Sequence, residues 1–454
     1  MKERLFEIWF SLCCGAGNSE FPQLLEQYGT PYDLYNITEA ELDSLPCSDR
    51  LKTRLANKSL AAASEILDKC LQNDIRILFW QDENYPASLR PLRDPPVLLY
   101  YRGNLPDFSR RLCISVVGTR NMSEYGKHLA YRIGYELGAA GAMVVSGMAL
   151  GIDGVAAAGA LLGGGTTVAV LGSGLNRPYP YEHGRLFDKI VEKGVVISEY
   201  PPDTPPNRWQ FPARNRIVSG LSQGTVVVEA PKRSGTLITA HNAILQGRDI
   251  YAFPGNVGQA NSAGSNMLIS HGAAVILRTR DLLENYLYLY NDSLNMERLG
   301  KAEACSGIDE TGLESLGVCR RTVKTLEDAS SARISSAAPS GDDRREAPSH
   351  ICRGTETPDP RLVQEKFKPT KSSPSKAIEP PKSTPAHGDA SHAALQSLTD
   401  TQRRIFEVLP LDHAVAIDYF TREGYTVGEV MAAMTVLEIK GLTVTLPGAL
   451  FSRK

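Results

Sequence analysis

Between residues 111 and 290 short apolar runs alternate with longer amphipathic stretches. The runs 112–117, 142–146, 166–171, 195–197, 225–228, 249–252 and 274–277 are brief and rich in β-branched residues. That is the pattern of parallel strands buried on both faces. The stretches between them have helical length. In 125–140, Leu129, Ile133 and Leu137 fall on one face. Repeated strand–helix units predict an α/β fold, a doubly wound parallel sheet with helices on both faces. Such sheets bind ligands at the carboxyl ends of their strands, so the loops that follow the strands carry the information about function.

The flanks follow other patterns. In residues 1–75, Leu5, Ile8, Trp9 and Leu12 recur at helical spacing, and so do Leu51, Leu55, Leu60, Ile66 and Leu67, with glycine turns between. This suits a small helical module of SAM or helix-hairpin-helix type, which either contacts a nucleic-acid backbone or only docks. Residues 76–110 read as a connector, with short strands near 75–79 and 97–101 between proline bends. Residues 291–394 are rich in Ser, Ala, Pro, Lys, Glu and Gly. Their few apolar side chains do not offset the entropy of ordering, so a disordered linker is expected, with room for one short helix at 306–321. Residues 395–454 turn compact again. A helix capped by Asp400, helices at 414–421 and 427–439, and a hairpin over 442–453 predict a winged-helix-like domain. Its reading surface, Thr426, Glu429 and Thr435, is not basic. Duplex binding and a regulatory role both stay open.

The chain's 454 residues suffice for about three domains. A net charge of −2 carries no global signature of nucleic-acid binding, so a basic site must be local. Residues 111–290 hold 16 Lys/Arg against 12 Asp/Glu, a balance of +4. The eight cysteines are scattered without Cys-x-x-Cys spacing, which predicts no metal site and a reducing, cytoplasmic setting. The N-terminal apolar run is broken by charge, and no run reaches about 18 apolar residues, so neither a signal peptide nor a membrane span is expected.

After the first strand, Gly118 allows close backbone approach, Arg120 stands at the strand's end and Ser123 is placed to cap the next helix. The loop is neither a dinucleotide fingerprint nor a P-loop, since Gly-x-Gly-x-x-Gly is absent and His128 follows Gly126-Lys127. After the second strand come Gly147, Gly151 and Asp153, the last readable as a helix cap. After the third come Arg177, Tyr179 and Tyr181. Cation and aromatic together suit single-stranded nucleic acid, and tyrosines that merely pack the loop fit as well. The densest stretch is 211–239. Arg214, Asn215, Arg216, Lys232 and Arg233 surround one short strand, and Ser234, Gly235 and Thr236 open the helix behind it. Strand, small-residue turn and helix N-terminus direct backbone N–H groups at an anion. The loop 253–266, ending in Asn266, reads as a further phosphate cradle. No paired carboxylate, Ser-His or Cys-His pair lies in the 211–239 stretch.

Seven motifs stand in order here: Val117-Gly-Thr-Arg, Ser146-Gly-Met-Ala-Leu-Gly-Ile-Asp, Val170-Leu-Gly-Ser-Gly-Leu-Asn, Ser198-Glu-Tyr-Pro-Pro, Phe211-Pro-Ala-Arg-Asn-Arg-Ile, Ser234-Gly-Thr-Leu-Ile-Thr-Ala and Phe253-Pro-Gly. Together they resemble the DprA/Smf family of DNA-processing proteins of bacterial transformation. The resemblance implies an extended Rossmann-like fold, single-stranded DNA in a basic pocket, a homodimer, loading of the RecA recombinase, and no cofactor. Arg120, Arg214, Arg216, Lys232, Ser234, Gly235 and Thr236 are the DNA-binding residues it implies. One departure is Ala157, where the family usually has His.

Three functions compete. The first is a non-enzymatic DNA-binding mediator. The second is a hydrolase of the nucleoside-monophosphate phosphoribohydrolase type, whose signature Pro-Gly-Gly-x-Gly-Thr-x-x-Glu corresponds here to Pro231-Lys-Arg-Ser-Gly-Thr-Leu-Ile-Thr239, with Thr near the position of the catalytic Glu. The third is an interaction hub working through its terminal modules. The missing carboxylate favours the first.

Overall fold

A computed structural model describes residues 2–305, 307–318, 398–410, 415–416, 419–420, 424–425, 429–430, 433–434, 436–437, 442–446 and 450–453. They fall in two compact units divided after residue 355.

The first unit begins with six helices, α1 (Lys2–Cys14), α2 (Phe21–Tyr28), α3 (Pro31–Asn36), α4 (Glu39–Ser44), α5 (Asp49–Ala56) and α6 (Ala61–Gln72). Thr30 and Thr38 each build a capping box, with Asp33 and Glu41, which fixes where α3 and α4 start. Strands β1 (Arg76–Phe79) and β2 (Leu98–Gly103) follow. The alternating region then runs β3 (Cys113–Val117), α7 (Glu124–Ala140), β4 (Met143–Ser146), α8 (Ile152–Leu162), β5 (Thr167–Leu171), α9 (Gly184–Lys193), β6 (Val195–Ser198), α10 (Gln210–Gly220), β7 (Gly224–Val227), α11 (Gly235–Leu245), β8 (Asp249–Ala252), α12 (Ala263–Ser270) and β9 (Ala274–Val275). Helices α13 (Thr279–Leu283), α14 (Leu287–Tyr290), α15 (Met296–Glu303) and α16 (Glu310–Ser315) complete it.

All nine strands share one sheet, in the order β1-β2-β6-β5-β4-β3-β7-β8-β9. The seven from β6 to β9 are parallel. β2 pairs antiparallel with both β1 and β6. The predicted connector therefore extends the sheet by two strands. The short strands expected near 75–79 and 97–101 are β1 and β2, and the pairing of β2 with β6 joins residues about 100 apart in sequence.

Strand side chains alternate between two cores, the period-two burial expected of a covered sheet. Ile114, Val116, Val144, Leu171 and Val226 join α7, α8, α9 and the N-terminal helices in one cluster. Cys113, Val117, Val145, Val170 and Val227 join Ile217 and Val218 of α10, Ala240 of α11 and Leu268 of α12 in the other. Each Val or Ile fully buried this way contributes about 1.5–3 kcal/mol. Helices α7 and α8 touch backbone to backbone, because a methyl on Gly134 would lie 2.2 Å from the Ala156 carbonyl oxygen.

The expected linker from residue 291 is corrected at its start. Leu299 and Leu313 are fully buried, so α15 and α16 belong to the sheet unit's core. Two or three well-spaced leucines anchor short helices that average composition hides. The rest of the expected linker, 319–394, lies outside the described residues.

The second unit holds α17 (Asp400–Val408), β10 (Val415–Ala416), β11 (Thr443–Leu446) and β12 (Leu450–Arg453), with sheet order β10-β12-β11. Ile405, Phe420, Leu437 and Phe451 share its core. Two expectations change here. Thr399, not Asp400, is the N-cap of α17, in a capping box with Gln402. The stretch expected as a helix from 414 begins as strand β10, where Val415 pairs with Phe451. Most of the expected helix 427–439 lies outside the described residues.

Candidate functional site

Strands β4, β5 and β6 extend the sheet from one side of β3, and β7, β8 and β9 from the other. The loops leaving the two halves diverge at this switch point, and a cleft of roughly 720 Å³ opens at the carboxyl ends.

Its floor is tied by one carboxylate. Asp153, in the first turn of α8, accepts from Gly118 N at 3.2 Å and from Gly147 N at 3.0 Å, joining the loops after β3 and β4. Gly118 is required by space, since a methyl there would stand 2.5 Å from Ile152. Burial pushes the Asp153 carboxyl up to about 6, against the pull of Arg214, the two amides and Arg120. Arg214 reaches over from α10 and is only 5% exposed. Its Nη1 donates to the Gly147 carbonyl at 2.9 Å and to the Val170 carbonyl, and its Nε donates to Asn215 Oδ1 at 3.3 Å. Burial lowers Arg214 to about 10, which leaves it cationic at neutral pH, with Asp153 favouring the charge. A methyl on Gly147 would lie 2.4 Å from the Arg214 guanidinium.

One wall is aromatic and cationic. The exposed Arg120 guanidinium lies 5.6 Å from the centre of the Phe211 ring, and Tyr179 packs against Phe211 at 5.5 Å. Facing rings and guanidinium groups are surfaces on which bases stack. Another wall is the start of α11, formed by Ser234, Gly235 and Thr236. A Cβ on Gly235 would meet nothing within 4 Å, so the backbone there is open to an approaching group. First-turn N–H groups have no intrahelical partner. Ser234 is the N-cap but makes no side-chain capping bond, and its Oγ is buried without a partner. Arg208 and Arg233 complete the rim. Both are exposed and have no carboxylate partner among the described residues. Among the described residues lining the cleft, Asp153 is the one carboxylate.

The cleft thus gathers Gly118, Arg120, Gly147, Arg214, Asn215, Ser234, Gly235 and Thr236 from loops more than 100 residues apart. Four expected residues fall elsewhere. Arg216 does not line it, because residues two apart on a helix face different ways. It is 6% exposed, its Nη2 grips both Glu199 oxygens at 2.7 and 2.9 Å, and its Nε donates to Asp94 at 3.1 Å. Burial opposes its charge, but Glu199 and Asp94 raise it above the ordinary value. Asn266 spends its amide on the backbone N–H and carbonyl of Gly255. Lys232 is exposed but outside the cleft, and its neighbour Arg233 takes the place expected for it. Arg177 lines a separate shallow pocket with Lys69 and Arg102, beside Asp188 and Asp203. Ala157 is fully buried in α8 and also lies outside the cleft.

Sequence reasoning missed Arg208 as a site residue and assigned Asp153 only a capping role. A signal for Arg208 existed in its neighbours, a cation immediately before Trp209-Gln-Phe211. Glu229 accepts from Ser123 N at 3.0 Å and from the Ser123 hydroxyl, so it braces the start of α7.

Residues 76–287 match the family described as DNA recombination-mediator protein A. The chain is 39% identical over 202 residues to the DNA processing protein DprA of Bacillus subtilis, covering 44% of this chain and 68% of that protein. It is 42% identical over 207 residues to DprA of Streptococcus pneumoniae, covering 45% and 72%. This chain belongs to the DNA recombination-mediator protein A family. The X-ray structure of S. pneumoniae DprA superposes with a TM-score of 0.54 at 35% identity, over 62% of this chain and 97% of that one. The family match covers all nine strands of the sheet and every cleft residue named above. No helix among the described residues is long and apolar enough to cross a membrane.

Proposed function

We propose that this protein holds single-stranded DNA in the cleft, without catalysis, and presents it for recombination. The observation that carries this reading is the composition of the cleft. Arg120, Arg208 and Arg233 lack carboxylate partners among the described residues, an open helix start faces them, Phe211 and Tyr179 form an aromatic platform, and the one carboxylate is buried and occupied. Mobile cations supply phosphate affinity and the rings supply sequence-tolerant stacking. Fluorescence anisotropy with oligo(dT) and with duplex DNA over a salt series tests it. Arg120→Ala should weaken single-strand binding and reduce the slope of log affinity against log salt by about 1. Unchanged affinity and slope would remove Arg120 from the interface.

The same geometry supports the reading without catalysis. Both Asp153 oxygens hold backbone amides and Thr239 lines the cleft near where a hydrolase would need a carboxylate. Release of free base from nucleoside monophosphates would overturn this part. The remaining assignments rest on family membership: delivery of the strand to a RecA recombinase, a homodimer, and work in the cytoplasm. The dimer has local support in β9, an edge strand where Val275 and nearby Leu277 are exposed. Sedimentation of wild type and Leu277→Glu tests it. We further assign residues 1–75 to a helix-hairpin-helix or SAM-like module and residues 395–454 to a winged helix, the latter supported by α17 and the three-stranded sheet.

A further inference from the structure

We infer that a strand leaving the cleft continues into a second pocket, where one nucleotide of single-stranded DNA sets its base against Trp209 and its phosphate against Arg50. This rests on the reading of the cleft given above and extends it to the N-terminal helices.

The pocket, of roughly 500 Å³, opens where the glycine turn after α1 and the start of α5 face the segment after β6. Sites for small organic ligands span about 300–1,000 Å³. Trp209 lines it with 60% of its surface exposed, while the next residue, Gln210, is buried. Tyr200 holds the indole edge-on at 6.1 Å. A tryptophan exposed yet braced by a neighbouring ring is a preformed stacking surface. Trp9, by contrast, is buried.

The pocket also offers positive charge. Arg50 is exposed and has no carboxylate partner among the described residues. Arg54 stands beside it and donates to the Cys13 carbonyl at 3.2 Å. The two carboxylates present are engaged. Glu199 is gripped by Arg216, and Glu20 accepts from Ser48 N at 2.6 Å and Ser48 Oγ at 3.0 Å. With Glu199 neutralised by Arg216, Arg50 and Arg54 outnumber Glu20, so the net charge facing a ligand is positive.

Continuity joins the two pockets. Arg208 lines the cleft and Trp209 lines the second pocket. Consecutive residues lie about 3.8 Å apart, so one strand passing over Arg208 meets the indole next. The pocket is also fixed to the cleft. Gly17 N donates to Glu199 Oε1 at 3.3 Å, and Glu199 pairs with Arg216 on the helix that carries Arg214.

Binding of the full chain to oligo(dT) of about 6 and about 20 nucleotides tests the inference. Arg50→Ala and Trp209→Ala should bind the short strand as wild type does and the long strand about five- to tenfold more weakly. Trp209→Phe, which keeps a ring, should recover most of the loss. Wild-type affinity for the long strand in both alanine variants overturns the second pocket, and so does equal weakening at both lengths. Arg120→Ala reports on the cleft alone. It should weaken both lengths, and if it weakens neither, the cleft reading fails whatever the other variants show.

Discussion

Arg214 and Arg216 stand two residues apart on one helix and do different work. Arg214 lines the cleft and braces two strand ends, whereas Arg216 neutralises Glu199 inside the protein. Removing Arg216 leaves a buried carboxylate unpaired, which typically costs about 3–5 kcal/mol. Arg216→Met should therefore lower the denaturation midpoint sharply, while Arg120→Ala, at an exposed position, should leave it unchanged and alter only DNA affinity. Chemical denaturation beside anisotropy separates the two effects. Asp153 adds a pH dependence. Its folded value of about 6 lies above its ordinary 3.8, so the folded protein binds this proton more tightly than the unfolded chain does. Its contribution to stability is full below about 3.8 and is lost as pH rises through about 6. The stability of wild type relative to Asp153→Asn should fall across that window. Protonation also leaves Arg214 and Arg120 uncompensated, so oligo(dT) should bind more tightly as pH drops through about 6, and Asp153→Asn should lack that step.

At the scale of elements, the site depends on how closely helix meets strand. Helix α8 can place Asp153 under two loops because Gly134 lets it lie directly on α7. Gly134→Val should force the helices apart at a cost of about 1–3 kcal/mol, with DNA affinity falling as well because the floor moves. Thermal melts and anisotropy on one preparation check both. Local pattern was enough to find these elements. Every strand from β3 to β9 is legible from its apolar run, and Ser123 is identifiable as a cap from sequence, as its bond from Gly126 N bears out. Helix α16 falls within the short helix expected at 306–321, whereas α15 was obscured because so few apolar residues hold it. Strand β10 was obscured because two residues paired to a distant strand leave no periodicity to read.

The whole molecule contains two units with separate hydrophobic cores, one made from residues up to 318 and one from 398 onward. Separate cores unfold separately, so calorimetry should resolve two transitions rather than one. The first unit is not divisible at residue 111. The N-terminal helices share a core with one face of the sheet, and β2 covers the edge of β6. A fragment of residues 111–290 should expose that edge and aggregate, while residues 2–318 should fold and bind oligo(dT). Sequence alone determined the α/β class, the strand order along the chain, the basic character of the 211–239 stretch and the family, because these depend on neighbours and short motifs. It also marked Arg120 and the start of α11 as partners for an anion. Only the tertiary structure decided that Arg216 points away, that Lys232 and Asn266 stand aside, and that Arg208, Arg233 and Phe211 join the cleft. Helix phase and long-range strand pairing set which side of an element meets the switch point between β3 and β7. Those are properties of the folded chain, not of any single stretch.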